Sequence, residues 1–154
     1  MLTIRRYQTE DNKAVKELHV LALKTVFSYF EHGSWDEDLD HISEIYFDKG
    51  EFLVGEIDGN IVAMGALKKI SDEIGEIKRM RIHPDFQKKG LGQRLYDELE
   101  KKARKLGYKT LQLDTTVNQT PAQRFYLKNG YTEIRREKEG WPIETIFYSK
   151  NLGV

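Results

Sequence analysis

The sequence contains no cysteine. Disulfides, thiolate metal sites and any mechanism that passes through an acyl-cysteine are therefore excluded. Nowhere do eighteen apolar residues run together, so no segment reads as membrane-spanning. The start, Met1-Leu2-Thr3-Ile4-Arg5-Arg6, lacks the apolar core of an export signal and reads directly as a strand, which makes cytoplasm the expected compartment. Net charge is absent too, since 25 Lys and Arg balance 25 Asp and Glu. The basic stretch 101–105 has no interleaved aromatics, so a solvated helix face is expected there and no nucleic-acid partner. His19, His32, His41 and His83 stand at no ligand spacing with a carboxylate cluster, and no metal is expected.

What is present is one domain's worth of chain, 154 residues, expected to fold as a single unit over 1–154. Alternating β-formers mark strands over 2–7, 51–57, 61–69, 75–83, 109–117, 131–137 and 143–149. Apolar residues at helical spacing mark helices over 12–30, 35–47, 91–106 and 120–129. Asp58-Gly59-Asn60 is a hairpin turn, and a second turn is expected at Gly140-Trp141-Pro142. The order is β-α-α-β-β-β-α-β-α-β-β, a mixed α/β domain.

Charge is distributed unevenly. Residues 31–44 hold six carboxylates (Glu31, Asp36, Glu37, Asp38, Asp40, Glu44) and no Lys or Arg. Residues 78–109 hold eleven Lys or Arg against four acidic residues. Two solvated helix faces would account for this. A cationic substrate at one segment and a polyanionic ligand at the other would also account for it.

The most informative stretch is Gln87-Lys88-Lys89-Gly90-Leu91-Gly92, between an expected strand and an expected helix. The first N–H groups of a helix lack intrahelical acceptors, and the helix dipole makes that end positive. Glycines at such a turn let a phosphate reach the backbone, and Lys88 and Lys89 add two cations. The pattern is neither G-x-G-x-x-G nor a Walker A loop.

It resembles the Gln/Arg-x-x-Gly-x-Gly/Ala signature of the GNAT superfamily of acyl-CoA-dependent N-acyltransferases. Two further regions share the resemblance. One is the strand ending Arg81-Ile82-His83-Pro84. The other is Pro121-Ala122-Gln123-Arg124-Phe125-Tyr126-Leu127-Lys128-Asn129-Gly130-Tyr131, similar to the family's Ala-x-x-Phe/Leu-Tyr-x-x-x-Gly-Phe/Tyr segment. The resemblance implies a mixed, mostly antiparallel sheet, splayed where parallel strands 75–83 and 109–117 part around acetyl-CoA. It implies cofactor contacts from the backbone of Met80, Arg81 and Ile82, and a pyrophosphate site made by Gln87, Lys88, Lys89, Gly90, Leu91, Gly92 and Gln93. The family often places an Asn seven residues before its tyrosine; here that position is Gln119, with Asn118 beside it, and either amide is a candidate for the pantetheine contact.

By the same resemblance Tyr126 lies near the coenzyme sulfur. A phenol with an ordinary pKa near 10 suits the protonation of a departing thiolate. Glu76 occupies the place, relative to the loop, at which a histone-acetylating branch of the family carries its glutamate base. A plain ion pair with Lys78 or Arg79 is the structural alternative. The expected activity is direct attack of a primary amine on acetyl-CoA without a covalent enzyme intermediate. The acceptor would be a cationic small molecule or basic peptide drawn to residues 31–44. The rival is a non-catalytic acyl-CoA-binding or regulatory module. Dimers are common in the family, which leaves a homodimer open.

Overall fold

A computed structural model describes residues 1–25, 34–140 and 143–153. Its strands are β1 Thr3–Arg6, β2 Glu51–Ile57, β3 Asn60–Lys69, β4 Ile74–Ile82, β5 Thr110–Thr116, β6 Thr132–Glu137 and β7 Thr145–Asn151. Its α-helices are α1 Asn12–Thr25, α2 Ile42–Tyr46, α3 Leu91–Lys105 and α4 Thr120–Lys128. The strands form one sheet in the order β1-β2-β3-β4-β5-β7-β6. Every neighbouring pair is antiparallel except β4–β5, which is parallel. The element order and the mixed, mostly antiparallel sheet agree with the sequence reading. None of the described helices is long and apolar enough to cross a membrane.

The period-two alternation of the strands divides the apolar residues between two faces. On one face Phe52, Val54, Met64 and Ala66 pack with Val15 and Leu18 of α1 and with Ile42 and Tyr46 of α2. On the other, Leu53, Ala63, Leu67, Ile77, Leu111 and Leu113 pack with Leu95, Leu99 and Ala103 of α3. The four-residue spacing of those α3 side chains puts them on one stripe of the helix.

Two irregularities shape the middle of the sheet. Lys78 stands opposite Ala66 and Arg81 opposite Met64, so two residues of β4 face one of β3. This is a β-bulge, and Arg79 within it has a φ of 60°, left-handed for a residue with a side chain. The second irregularity is the brevity of the parallel ladder. Only Ile74–Thr110, Gly75–Leu111 and Glu76–Gln112 are paired, and beyond them β4 and β5 part.

The helix expected over 35–47 is divided. A 3-10 segment, Ser34–Asp40, precedes α2, and His41 between them has φ −138° and ψ 39°. A continuous helix would offer the Leu39 carbonyl to the Ser43 N–H. Instead Asn12 Nδ2 donates to that carbonyl at 2.8 Å. The strand expected at 143 begins at Thr145 and runs on to Asn151, which pairs with Thr110. The last residues of the first expected helix, 26–30, and Trp141-Pro142 of the second turn lie outside the described residues.

Gly50 joins α2 to β2 with no room to spare. A Cβ there would lie 2.3 Å from the Leu67 carbonyl oxygen and 2.6 Å from that of Tyr46. Both are backbone atoms that cannot swing aside. Gly50→Ala is expected to lower unfolding free energy by about 3 kcal/mol, at the upper end of overpacking costs. Urea denaturation measures it; a loss below about 1 kcal/mol would show that the junction yields.

Candidate active site

The loop before α3 has the geometry an anion requires. Gly90 is the N-cap, in the left-handed region at φ 81°, with nothing within 4 Å of where a Cβ would sit. The Arg94 N–H returns to the Gly90 carbonyl at 3.2 Å. The N–H groups of Leu91, Gly92 and Gln93 therefore precede the first intrahelical bond and find no acceptor among the described residues. Lys88, itself at φ 63°, and Lys89 are exposed beside them. The Lys89 ammonium lies 5.5 Å from the centre of the Phe86 ring.

Two residues of the motif have side chains with other tasks. Gln87 Nε2 donates to the Ile82 carbonyl at 3.3 Å, tying the loop to the end of β4. Gln93 Nε2 donates to Asn129 and Asp97, each at 2.8 Å, tying α3 to the end of α4. Their side chains brace the loop, which leaves their backbone to meet a ligand.

Along the parting, Met80 and Ile82 turn their side chains into the α3 core. Their carbonyls accept side-chain donors, Met80 from Arg81 Nη1 at 2.9 Å and Ile82 from Gln87. Beyond Glu76 this edge of β4 has no strand partner. An extended ligand rich in amide groups could pair with such an edge.

Tyr126 of α4 is 7% exposed and packed among Phe125, Tyr131 and Tyr148. Its hydroxyl has no hydrogen-bond partner among the described residues. Burial pushes its pKa up to about 12; the charge of Arg81 works against this and that of Asp114 adds to it. The hydroxyl thus stays protonated through the neutral range and lies within the fields of β4 and β5.

Glu76 is half-buried and makes no ion pair within the described residues. The structural alternative for it, a pair with Lys78 or Arg79, is not realised among the described residues, and Arg79 binds Asp38 instead. Burial raises the Glu76 pKa above the usual carboxylate range; Asp114 raises it further, while Lys78, Lys68 and Arg79 oppose.

Asp114 was not singled out from the sequence. It alternates with Leu111 and Leu113 on β5 and so shares the face of Gln112, the neighbour of Glu76. That period-two pattern was the available signal. The carboxylate reaches solvent, yet the walls of the parting desolvate it and raise its pKa, against the charges of Lys78, Arg79, Arg81 and Arg135. The site therefore holds two carboxylates with raised pKa values, one on each parting strand, and Asp114 also lies within the field of Tyr126.

Asn118 and Gln119 are both engaged locally. Thr116 Oγ1 donates to Asn118 Oδ1 at 2.6 Å, and Gln119 Nε2 donates to Thr116 Oγ1 at 2.9 Å. Neither amide is singled out by this geometry.

The acidic segment is not the open anionic wall expected from composition. Asp38 turns inward to Arg79 and Tyr46. Asp40 pairs with Lys16, and Glu44 lies 3.0 Å from the His41 ring nitrogen. Glu37 is exposed, while Glu31 and the side chain of Asp36 lie outside the described residues. Asp38 and Asp40 thus spend their charge on Arg79 and Lys16, and the segment offers a cation less charge than a sequence count gives it.

A sheet parted at one parallel pair, with a helix N-terminus beside the parting, is an α/β architecture with room for an extended anionic ligand. The sequence model of the acetyltransferase (GNAT) family matches residues 15–131, and the chain belongs to that family. Among solved structures, a GNAT-family acetyltransferase from Staphylococcus aureus Mu50 superposes with a TM-score of 0.87 over 99% of both chains, at 23% identity. The PaiA N-acetyltransferase of Thermoplasma acidophilum, solved in complex with coenzyme A, gives 0.79 at 22% identity, covering 98% of this chain and 99% of that one. Among curated proteins, the amino-acid acetyltransferase of Azotobacter vinelandii is 41% identical over 68 residues, 44% of this chain and 16% of that protein. The IAA acetyltransferase of Azospirillum brasilense is 34% identical over 83 residues, 53% of this chain and 54% of that protein. The chain thus matches about half or less of these curated relatives' length.

Gly92 tests the loop without straining it. Its φ is not left-handed, and a Cβ there would meet only Ile82, at 3.7 Å. A carboxylate at this position suits the helix dipole and should leave α3 intact. Gly92→Glu is expected to weaken coenzyme A binding by about a hundredfold or more, through repulsion of the pyrophosphate. Calorimetric titration of a folded variant with unchanged affinity would remove the loop from the binding site.

Proposed function

We propose that the protein, as one domain over residues 1–154, transfers an acetyl group from acetyl-CoA to a primary amine by direct attack. The observation that carries this reading is the parting of β4 and β5 beside a helix start whose first N–H groups have no acceptor among the described residues, with Asp114 within the fields of both Glu76 and Tyr126. The cofactor's pyrophosphate would take the free N–H groups of Leu91, Gly92 and Gln93, with Lys88 and Lys89 at its flank. Its pantetheine arm would lie along the unpaired edge of β4 at Met80, Arg81 and Ile82. Gln87 contributes by holding the loop, and Asn118 or Gln119 would border the arm on the β5 side. The amine acceptor is supported by relatives named amino-acid acetyltransferase and ribosomal-protein-S18-alanine N-acetyltransferase.

The chemistry balances within these groups. The amine nitrogen forms a bond to the thioester carbon, and the carbon–sulfur bond breaks. The proton lost by the amine goes to Glu76 or Asp114, directly or through water. The leaving thiolate takes the Tyr126 hydroxyl proton. A raised carboxylate pKa makes each base stronger, and the phenol, kept protonated by burial, is there to hydrogen-bond and protonate the thiolate as it departs. No side chain is acylated.

Tyr126→Phe removes the donor and keeps the packing. Its kcat is expected to fall by about ten- to a thousandfold, the scale of general-acid loss, with acetyl-CoA affinity unchanged. Release of free thiol with an amine panel is the assay. An unchanged kcat where chemistry limits turnover would take Tyr126 out of the mechanism, and no release above background would leave a binding module.

Glu76→Gln separates a base from a structural carboxylate. A folded-state pKa above the unfolded one gives stability that is present at low pH and lost as pH rises through the folded value. At a pH above that folded value the ionised Glu76 is thus a cost to the fold. The variant is expected to lose rate and gain Tm at that pH. A lower Tm with full rate would make Glu76 a structural partner.

A further inference from the structure

Arg79 combines three features that the proposed reaction does not use. Its backbone is left-handed at φ 60°, its side chain is 8% exposed, and it binds a residue 41 positions earlier in the chain. The guanidinium grips Asp38 at two points: Nε donates to Oδ2 at 3.0 Å, and Nη2 donates to Oδ1. Asp38 Oδ2 also accepts the Tyr46 hydroxyl. Asp38 is itself 11% exposed. One buried carboxylate thus joins the 3-10 segment Ser34–Asp40, helix α2 and the bulge of β4.

The location gives this junction its meaning. Lys78 pairs with Ala66, which packs under α1 and α2, so the bulge faces the helices of that side. Glu76, two residues along β4 from Lys78, shares that face, and Asp114 shares it on β5. Through Asp38, segment 34–46 therefore reaches Arg79, whose charge acts on both carboxylates to which an amine would lose its proton. The cofactor elements, α3 and its loop, lie on the opposite face with Met80 and Ile82. An extra residue in β4 also has a consequence here: without the bulge, Arg79 would point to the α3 face and could not meet Asp38.

We propose that Asp38 and Arg79 are positioning residues that pin segment 34–46 to the β4 bulge and so hold the acceptor side of the site in register with the carboxylates. The proposal rests on the acetyltransferase reading and extends it to the acceptor. It separates two affinities: loss of the pair loosens the acceptor side and leaves the acetyl-CoA side as it was.

The charges make a second readout. Glu76 faces Lys78 and Arg79 on its own strand, Lys68 on β3 and Asp114 on β5. Asp114 faces Lys78, Arg79 and Arg81 on β4 and Arg135 on β6, and shares its field with Tyr126 on α4. Asp38 partly cancels the Arg79 charge felt by both. Burial alone would raise the Asp38 pKa, but Arg79 and Tyr46 outweigh it and keep Asp38 ionised. Replacing Asp38 by Asn removes a negative charge from beside Arg79, which favours ionised Glu76 and Asp114 and moves the acid limb of kcat/KM to lower pH.

The test compares wild type with Asp38→Asn and Arg79→Lys. Arg79→Lys keeps the charge, loses the two-point grip and guards against failure of Asp38→Asn to fold. Thiol release is followed with L-alanine, L-glutamate, an alanyl tripeptide and spermidine, and the fastest of these serves as the acceptor. In Arg79→Lys the acceptor KM is expected to rise by about tenfold or more, with acetyl-CoA Kd within about twofold and the acid limb in place. In folded Asp38→Asn the same split is expected, with the limb lowered by about half a pH unit or more. An unchanged acceptor KM in folded Arg79→Lys overturns the proposal. So does an equal loss of acetyl-CoA affinity, or an unmoved limb in folded Asp38→Asn. If wild type releases no thiol with any of the four amines, the transferase reading fails and this one with it; an active wild type isolates the pair.

Discussion

The ladder between β4 and β5 stops after three residue pairs, and much of the molecule answers to that interruption. Backbone N–H and C=O groups in a sheet need partners, and a buried group without one costs about 1–3 kcal/mol. A closed sheet would satisfy them internally. Here the edge of β4 beyond Glu76 is left for side chains and for a ligand. A chain of amides entering the gap would complete the sheet, which is why a pantetheine arm fits this opening better than a compact ligand would.

Holding such an opening requires rigid walls. On one face α3 is fastened by Leu95, Leu99 and Ala103 to the core of the sheet. A polar cluster holds its far side, where the Tyr96 hydroxyl donates to Glu100 and accepts from the Tyr131 hydroxyl, and Lys150 of β7 pairs with Glu100. With the helix immobilised, its N-terminal N–H groups stay aimed at one place. On the other face the Asp38–Arg79 pair does the corresponding work at the bulge. In the proposed reading the molecule divides accordingly: cofactor and Tyr126 on the α3 side, Glu76 and Asp114 on the other.

What could be read from sequence followed the reach of each signal. Strand alternation, the hairpin at Asp58-Gly59-Asn60 and the loop at 87–92 are local, and all recur in the structure close to where they were expected. Tyr126 was legible because its neighbours form a motif, though its burial and its lack of a hydrogen-bond partner were not. Glu76 was legible as a candidate; its freedom from Arg79 depended on Asp38, far away in sequence. Asp114 lay in plain alternation with Leu111 and Leu113, but a strand's polar face gains meaning only when its neighbour is known. In the acidic segment, composition counts charges but not the pairing of Asp38 with Arg79 and of Asp40 with Lys16. The break at His41 was likewise invisible, being set by Asn12 across the fold.

The central claim is that acetyl-CoA lies in the parting of β4 and β5 with its pyrophosphate on the loop before α3. A crystal structure of the protein with acetyl-CoA tests it most directly. The account requires pyrophosphate oxygens on the N–H groups of Leu91, Gly92 and Gln93, pantetheine amides along β4 at Met80, Arg81 and Ile82, and the sulfur beside the Tyr126 hydroxyl. A complex with the cofactor seated elsewhere on the molecule, or with its sulfur far from Tyr126, Glu76 and Asp114, would contradict it.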